Sequence, residues 1–375
     1  MKIAFYAPLK SPISGTPSGD RLIARQLMAC LSDAGHDIAT VSRFRSYDGD
    51  GNAERQRRLR QIGRKLADRV CRQLTGNRPD LWFTYHLYHK APDWIGPHVC
   101  RAFGIPYVVA EASFAPKQEK GLWAPGHEAV RDTLRQTRLA IGLTRTDRAC
   151  VEPCLPTTGK YLQLPPFLDW QPFVDQASGG RTDRRKLSDE YGVDTNLPWL
   201  LCVAMMRPGD KTESYRILAT SLARIGSRKW QLLVVGDGAN RDLVQSFFAP
   251  LGGRVFWLGR QSRADLVELY KAADIFVWPA VKETPGMCFL EAGAAGLPVV
   301  GGNGFGVPDV VIDGQTGLLA KHLDVTGFAD KLAFLLDHPS AAREMGKCAR
   351  QHIRSSHDIS VAGGLIDRAL RDLVP

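Results

Sequence analysis

The sequence predicts an α/β protein of two doubly wound, parallel-sheet domains, and three observations lead there. At 375 residues the chain is too long for one ordinary hydrophobic core. Short apolar, strand-like runs alternate with helix-like segments along its length, the pattern of parallel strands joined by crossover helices. One stretch breaks the alternation: LPPFLDWQPFVDQASGGRTDRR is rich in Pro and Gly and lacks periodicity, as a linker does. These place a first domain at 1–168, a linker at 169–195, a second domain at 196–355 and a last segment at 356–375. In that last segment Val361 to Leu373 reads as an amphipathic helix placed to pack back on the first domain.

The strand candidates of the first series are Lys2–Ala7, Ile38–Ser42, Leu81–Tyr85, Pro106–Ala110 and Leu139–Thr144. Arg21–Ala34 is the first crossover helix, closed by Gly35. The second series starts at Trp199 with WLLCVAM and continues through WQLLVVGDG, RVFWLG, DIFVWP and LPVVGG. Each run is followed by Gly, Pro or Asp and then a helical pattern. Two such domains are expected to face each other across a cleft, with the carboxyl ends of both strand sets pointing into it.

With 44% hydrophobic and 23% charged residues the composition is that of an ordinary globular protein. No uncharged apolar stretch is long enough to span a bilayer. MKIAFYAPLK runs straight into a strand with no signal-peptide core, so a cytoplasmic location is expected. Eight cysteines are scattered. The closest pair, Cys150 and Cys154, has no second pair or His cluster to complete a zinc site, and buried reduced thiols are expected. No metal ligand set is identified.

The formal charge of +10 points to acidic partners. From Glu54 to Arg78 there are nine Lys/Arg against two acids, around an apolar stripe of Leu59, Ile62, Leu66, Val70 and Leu74. Two readings stay open: a surface helix docked on a sheet, or a peripheral contact with anionic lipid at the inner face of a membrane. The narrow stripe without Trp or Phe favours the first. No basic motif interleaved with aromatics supports a nucleic-acid partner.

The chemistry concentrates in AADIFVWPAVKETPGMCFLEAGAAGLPVV, a strand, a loop and a helix in sequence. Pro279 and Pro285 keep the loop out of helix, and Ala292–Ala295 are strong helix formers. The helix should begin near Gly286 or Met287, with free amides at Gly286, Met287, Cys288 and Phe289 forming an anion site suited to a pyrophosphate. Glu291 lies about a turn inside, placed to accept hydrogen bonds from vicinal hydroxyls such as those of ribose. Glu283 lies ahead of the helix, where a sugar attached to the pyrophosphate would sit. Read singly, Glu283 is a loop charge and Glu291 a helix-dipole partner; the strand–loop–helix context argues for binding roles.

The E-x7-E pattern, followed by AGAAGLPVV, a Gly-rich turn and VPDVVIDGQTGLL, resembles the retaining GT-B glycosyltransferases of family 4, the glycosyl transferases group 1. LLVVGDGANRDLV and VFWLGRQSRADLVELYKAADIFVWPA resemble further stretches of that family, in the expected order. The resemblance implies two Rossmann-like domains and sugar transfer from a nucleotide-diphosphate sugar to a glycan or lipid-linked acceptor. It matches Glu291 with the acid on the ribose hydroxyls, and Glu283 with the acid beside the donor sugar. Arg207 and Lys211, in MMRPGDK, match the cations on the donor pyrophosphate, although Met206 stands where the family has Gly. Arg260, after WLG, matches a contact to the base.

In the first domain SGTPSGDRLIARQLMACLSDAGHDIATV resembles the family's Gly-rich first loop and helix. Gly15 and Gly19 would let that loop curl over the donor phosphates. His36 falls at a helix-to-strand turn where the family has Gly-His, and is given no catalytic role. The family's first-domain histidine is absent: Ala112 stands in its place, with Glu111 beside it. His86, in LWFTYHLYHK, is the other matching position, so His86 or Glu111 would face the donor sugar. A nucleotide-sugar hydrolase or epimerase and a non-catalytic sugar-binding subunit are the alternatives.

Overall fold

The computed structural model describes residues 1–15, 19–143, 145, 147–174, 184–283 and 286–374. The chain divides into two compact units, Met1–Pro165 with Ile359 onward, and Pro166–Asp358.

The first unit runs β1 (Lys2–Tyr6), α1 (Gly19–Asp33), β2 (Asp37–Thr40), α2 (Ala53–Leu74), β3 (Leu81–Leu87), α3 (Gly96–Phe103), β4 (Tyr107–Ala112), α4 (Ala124–Leu134), β5 (Thr137–Gly142), α5 (Arg148–Val151) and β6 (Lys160–Gln163). The second runs α6 (Arg184–Tyr191), β7 (Trp199–Val203), α7 (Asp210–Arg224), β8 (Gln231–Val235), α8 (Arg241–Phe248), β9 (Val255–Gly259), α9 (Arg263–Ala272), β10 (Ile275–Trp278), α10 (Met287–Ala295), β11 (Val299–Asn303), β12 (Gly317–Lys321), α11 (Val325–Asp337) and α12 (Pro339–Ser356). Helix α13 (Ile359–Arg371) returns to the first unit.

Each unit holds a six-stranded parallel sheet, in the orders β2-β1-β3-β4-β5-β6 and β12-β11-β10-β7-β8-β9. Strands covered on both faces read as continuous apolar runs: Leu81–Tyr85, Trp199–Cys202 and Ile275–Trp278 are buried without a break. The order reverses between β1 and β3 in one sheet and between β7 and β10 in the other. Helices there leave toward opposite faces and open the carboxyl edge between two neighbouring strands.

The predicted strands fall within three residues of the observed ones. Thr144, the end of the fifth, lies outside the described residues. Two edge strands were not foreseen. In β6, KYLQ carries a Lys and a Gln and is only half covered; β12 starts at Gly317 and ends at Lys321. Of the predicted linker 169–195, residues 175–183 lie outside the described ones. The rest belongs to the second unit, because Trp170, Phe173 and Leu187 enter its core and Arg184–Tyr191 is helical.

The basic segment forms α2, with Asn52 as N-cap accepting from the Arg55 amide. Its buried line is Gln56, Gly63, Ala67 and Val70, rotated from the predicted stripe. Ile62 is exposed, because Gly63 packs so closely on Trp94 that a Cβ there would lie 2.3 Å from Trp94 Cβ. All eight cysteines are free; Cys30, Cys100 and Cys202 are buried, four are half-buried and Cys348 is exposed, against the expectation that all would be buried.

Helix α13 lays Ala362, Gly363, Ile366 and Leu370 inward, and Cys30 Sγ of α1 donates to the Ile359 carbonyl at 3.4 Å. His36 Nε2 sits 3.0 Å from Asp367 Oδ1 of α13, a structural role for that ring.

Beside the return point, the buried His357 ring donates from Nδ1 to the Pro166 carbonyl at 2.6 Å, while the Leu168 amide donates to the His357 carbonyl at 3.0 Å. Burial, against that hydrogen bond, holds His357 down to about 4. An unfolded chain takes up this proton near 6.5, so between those values the unfolded state binds more protons and stability falls as pH falls. The window is worth about 3 kcal/mol at most from this residue. His357→Asn should therefore flatten the slope of unfolding free energy against pH between those values by roughly one proton, as read by urea unfolding at several pH values.

Candidate active site

Among the described residues six non-glycine positions have positive φ: His86 (62°), Glu111 (57°), Ala280 (56°), Lys282 (51°), Phe305 (52°) and Leu323 (63°). Every one lies at or just beyond the carboxyl end of a strand, namely β3, β4, β10, β11 or β12. Such conformations cost roughly 1 kcal/mol or more each and persist where the surroundings over-determine them. The strain is thus confined to the edge at which doubly wound sheets bind ligands.

In the second unit that edge is built across the β7/β10 reversal. After β7 the chain turns at Gly209 (φ 85°) into α7, whose first turn carries Lys211. After β10 the loop reaches Glu283, whose carboxylate pairs with the Lys211 ammonium. Trp278 Nε1 donates to the same Glu283 Oε2 at 3.2 Å, and Lys211 Nζ lies 5.3 Å from the centre of the Trp278 ring. The loop is fastened from behind, since Ser214 Oγ of α7 accepts from the Val281 amide at 2.9 Å, and Lys282 pairs with Asp210 at 3.2 Å. The Gly306 amide, after β11, donates to the Glu283 carbonyl at 3.1 Å. Arg207 is exposed in the same β7–α7 turn, where its carbonyl accepts from Thr212 Oγ1 at 2.8 Å.

Helix α10 starts as expected at Met287, with Gly286 in the left-handed region (φ 66°) as N-cap. The Phe289 amide is not free, because it donates to the Gly286 carbonyl at 2.9 Å. Of the amides expected to face an anion, those of Gly286, Met287 and Cys288 remain. Pro285, read as a helix stop, lies outside the described residues. Glu291 accepts from Tyr270 Oη at 3.0 Å, and burial pushes its carboxyl above the usual range against that bond.

Met206 is buried, and its amide donates to the Asp237 carbonyl at 3.0 Å, tying the loop after β7 to the loop after β8. Asp237 Oδ2 lies 3.5 Å from Arg260 Nε, so the exposed Arg260 is braced from the neighbouring loop.

In the first unit His86 Nδ1 lies 3.0 Å from Asp20 Oδ1, in the first turn of α1. The hydrogen bond with His86 holds the Asp20 carboxyl below its ordinary value. Glu111 accepts from the Leu143 amide at 2.6 Å, and burial pushes its carboxyl up. Ala112 is buried in β4. Of the two predicted candidates, His86 is half-exposed and paired, while Glu111 is committed to backbone. A Cβ at Gly15 or Gly19 would meet nothing within 4 Å; residues 16–18 of that loop lie outside the described ones. Neither Asp20 nor Trp278 was singled out in the sequence, for Asp20 stands in a Gly/Ser stretch and Trp278 in an apolar strand.

Residues 183–352 match the family described as glycosyl transferases group 1. Through that region the chain is similar to this family. The group 1 match is extended by curated relatives. A D-inositol 3-phosphate glycosyltransferase from Corynebacterium glutamicum is 35% identical over 325 residues, 87% of this chain and 62% of that protein. An N-acetyl-alpha-D-glucosaminyl L-malate synthase from Bacillus anthracis is 30% identical over 184 residues, 48% of this chain and 47% of that protein. The chain spans about half the length of such curated relatives. Sucrose-phosphate synthase from Thermosynechococcus elongatus superposes with a TM-score of 0.75 at 19% identity, over 99% of this chain and 98% of that one. Anabaena HepE in complex with UDP and glucose gives 0.71 at 16% identity over the whole of both chains. At those identities the likeness is one of fold, and the fold is GT-B.

The Lys211–Glu283 pair is mostly shielded, with 20% and 15% of the two side chains exposed. Lys211→Met leaves a carboxylate with one indole donor and should cost about 2 kcal/mol, and adding Glu283→Gln should recover about half. Urea unfolding of the single and double variants reads both.

Proposed function

We propose that the chain is a retaining glycosyltransferase that moves a sugar from a nucleotide-diphosphate sugar to a glycan or lipid-linked acceptor. One observation carries the reading: an ammonium, a carboxylate and a helix N-terminus converge at the strand-order reversal of the family-matched unit. Lys211, Arg207 and the amides of Gly286, Met287 and Cys288 would hold the diphosphate and neutralise the charge that builds as it departs. Glu283, oriented by Lys211 and Trp278, would accept from the sugar hydroxyls, and Glu291, oriented by Tyr270, from the ribose. Arg260 would approach the base. Attack from the face of departure would retain configuration, with the leaving phosphate taking the acceptor's proton. Glu283 then needs no covalent step.

The acceptor class draws support from relatives, one of which is named as a GDP-mannose-dependent mannosyltransferase acting on a phosphatidylinositol monomannoside, 28% identical over 215 residues. Among the described residues no helix is long and apolar enough to cross a membrane. The exposed Arg and Lys side chains of α2 suit a peripheral contact with an anionic membrane from the cytoplasmic side.

Screening nucleotide sugars for thermal stabilisation identifies the donor. With it, Lys211→Ala and Glu283→Ala should each lower the rate of transfer by on the order of 100-fold to 1000-fold while the fold is kept. Glu291→Ala should chiefly weaken donor binding, by about tenfold or more. Full transfer in the first two variants would refute the assignment. Nucleotide release that no acceptor accelerates would mark a hydrolase instead.

A further inference from the structure

The carboxyl edge of the first sheet carries a strip of rings to which, His86 apart, no role is given above. Residues 45–49, after β2, are fastened to the turn after β3. Ser46 Oγ donates to the Pro92 carbonyl at 2.7 Å, the Asp48 amide to the Lys90 carbonyl at 2.8 Å, and Trp123 Nε1 to the Asp48 carbonyl at 2.9 Å. On this base the rings of His86, Tyr88, His89 and Trp123 follow one another with centroids 5.1, 5.4 and 5.8 Å apart, all half-buried.

Two cations rest on this surface. The Arg45 guanidinium lies 4.5 Å from the centre of the Tyr47 ring, and Lys90 Nζ lies 4.1 Å from that of Trp123. Arg45 Nε donates to the Leu9 carbonyl at 3.0 Å, which uses one of five guanidinium donors. Lys90 Nζ also reaches the Gly49 carbonyl at 3.5 Å. Ring contact fixes both heads in place without neutralising them. The local field agrees: burial first, then the charges of Lys90, His127 and Lys117, bring His89 down to about 4.

Half-exposed rings offer apolar contact to the C–H groups of a polyhydroxylated ring, while the cations held over two of them pair with an acid substituent. We propose that Arg45, Tyr47, Lys90 and Trp123 form an acceptor subsite that selects a saccharide or similar polyhydroxylated ring by an acid group, phosphate or carboxylate. Only the word acceptor rests on the transferase reading; the binding stands without it.

The test is therefore a binding measurement in the absence of donor. The indole N–H resonance of Trp123, assigned by its loss in Trp123→Phe, is followed while glucose 6-phosphate, glucuronate or uncharged glucose is added to the full chain. The acids should shift it with at least about tenfold tighter binding than glucose, and the stronger of the two names the preferred substituent. Arg45→Met with Lys90→Met should remove the shift, and Arg45→Lys with Lys90→Arg should restore it. Lys211→Ala should leave it unchanged, which separates this site from the donor site. Equal binding of glucose, an unaltered shift in the Met variant of unchanged fold, or no shift with any ligand overturns the proposal, whatever becomes of transfer activity.

Discussion

A single ammonium–carboxylate pair organises the ligand edge of the second unit. Lys211 and Glu283 are 72 residues apart in sequence, yet β7 and β10 are neighbours in the sheet. At their reversal, successive helices leave for opposite faces, so no crossover covers the strand ends. Two loops distant in sequence are there joined by charge, with Lys282–Asp210 as a second tie. The indole of Trp278 seats the acid, and Ser214 braces the loop from behind. Because both side chains keep some access to water, the desolvation cost that weighs against a fully buried pair is reduced.

Strain follows the same edge in both units. His86 and Glu111 in one, and Ala280, Lys282, Phe305 and Leu323 in the other, adopt backbone that L-residues avoid. A parallel sheet delivers each strand end to one rim, and from there the chain must turn sharply toward a helix. Where a glycine would relieve the turn but another residue stands, the fold bears the conformational cost.

The central strands were legible because burial on both faces leaves an unbroken apolar signature, as in Trp199–Cys202. The edge strand Lys160–Gln163 was not, since one open side permits polar residues and shortens the run. Glu283 and Glu291 were singled out from local context, beside a strand end and inside a helix start, and Lys211 from the family resemblance. Helical spacing in α2 was read correctly as helix, but its inward face depended on how closely Gly63 approaches Trp94, which no periodicity records. Asp20 and the ring strip from His86 to Trp123 were invisible for a related reason. They are assembled from segments after three different strands, and only the pairing order brings those segments together.

The first unit is completed by a helix that arrives after the whole second unit has been synthesised. Until residues 359–371 leave the ribosome, the α1 surface around Cys30 lacks its cover. Completion of the earlier half is consequently non-vectorial: its core is closed only by residues made after the later half.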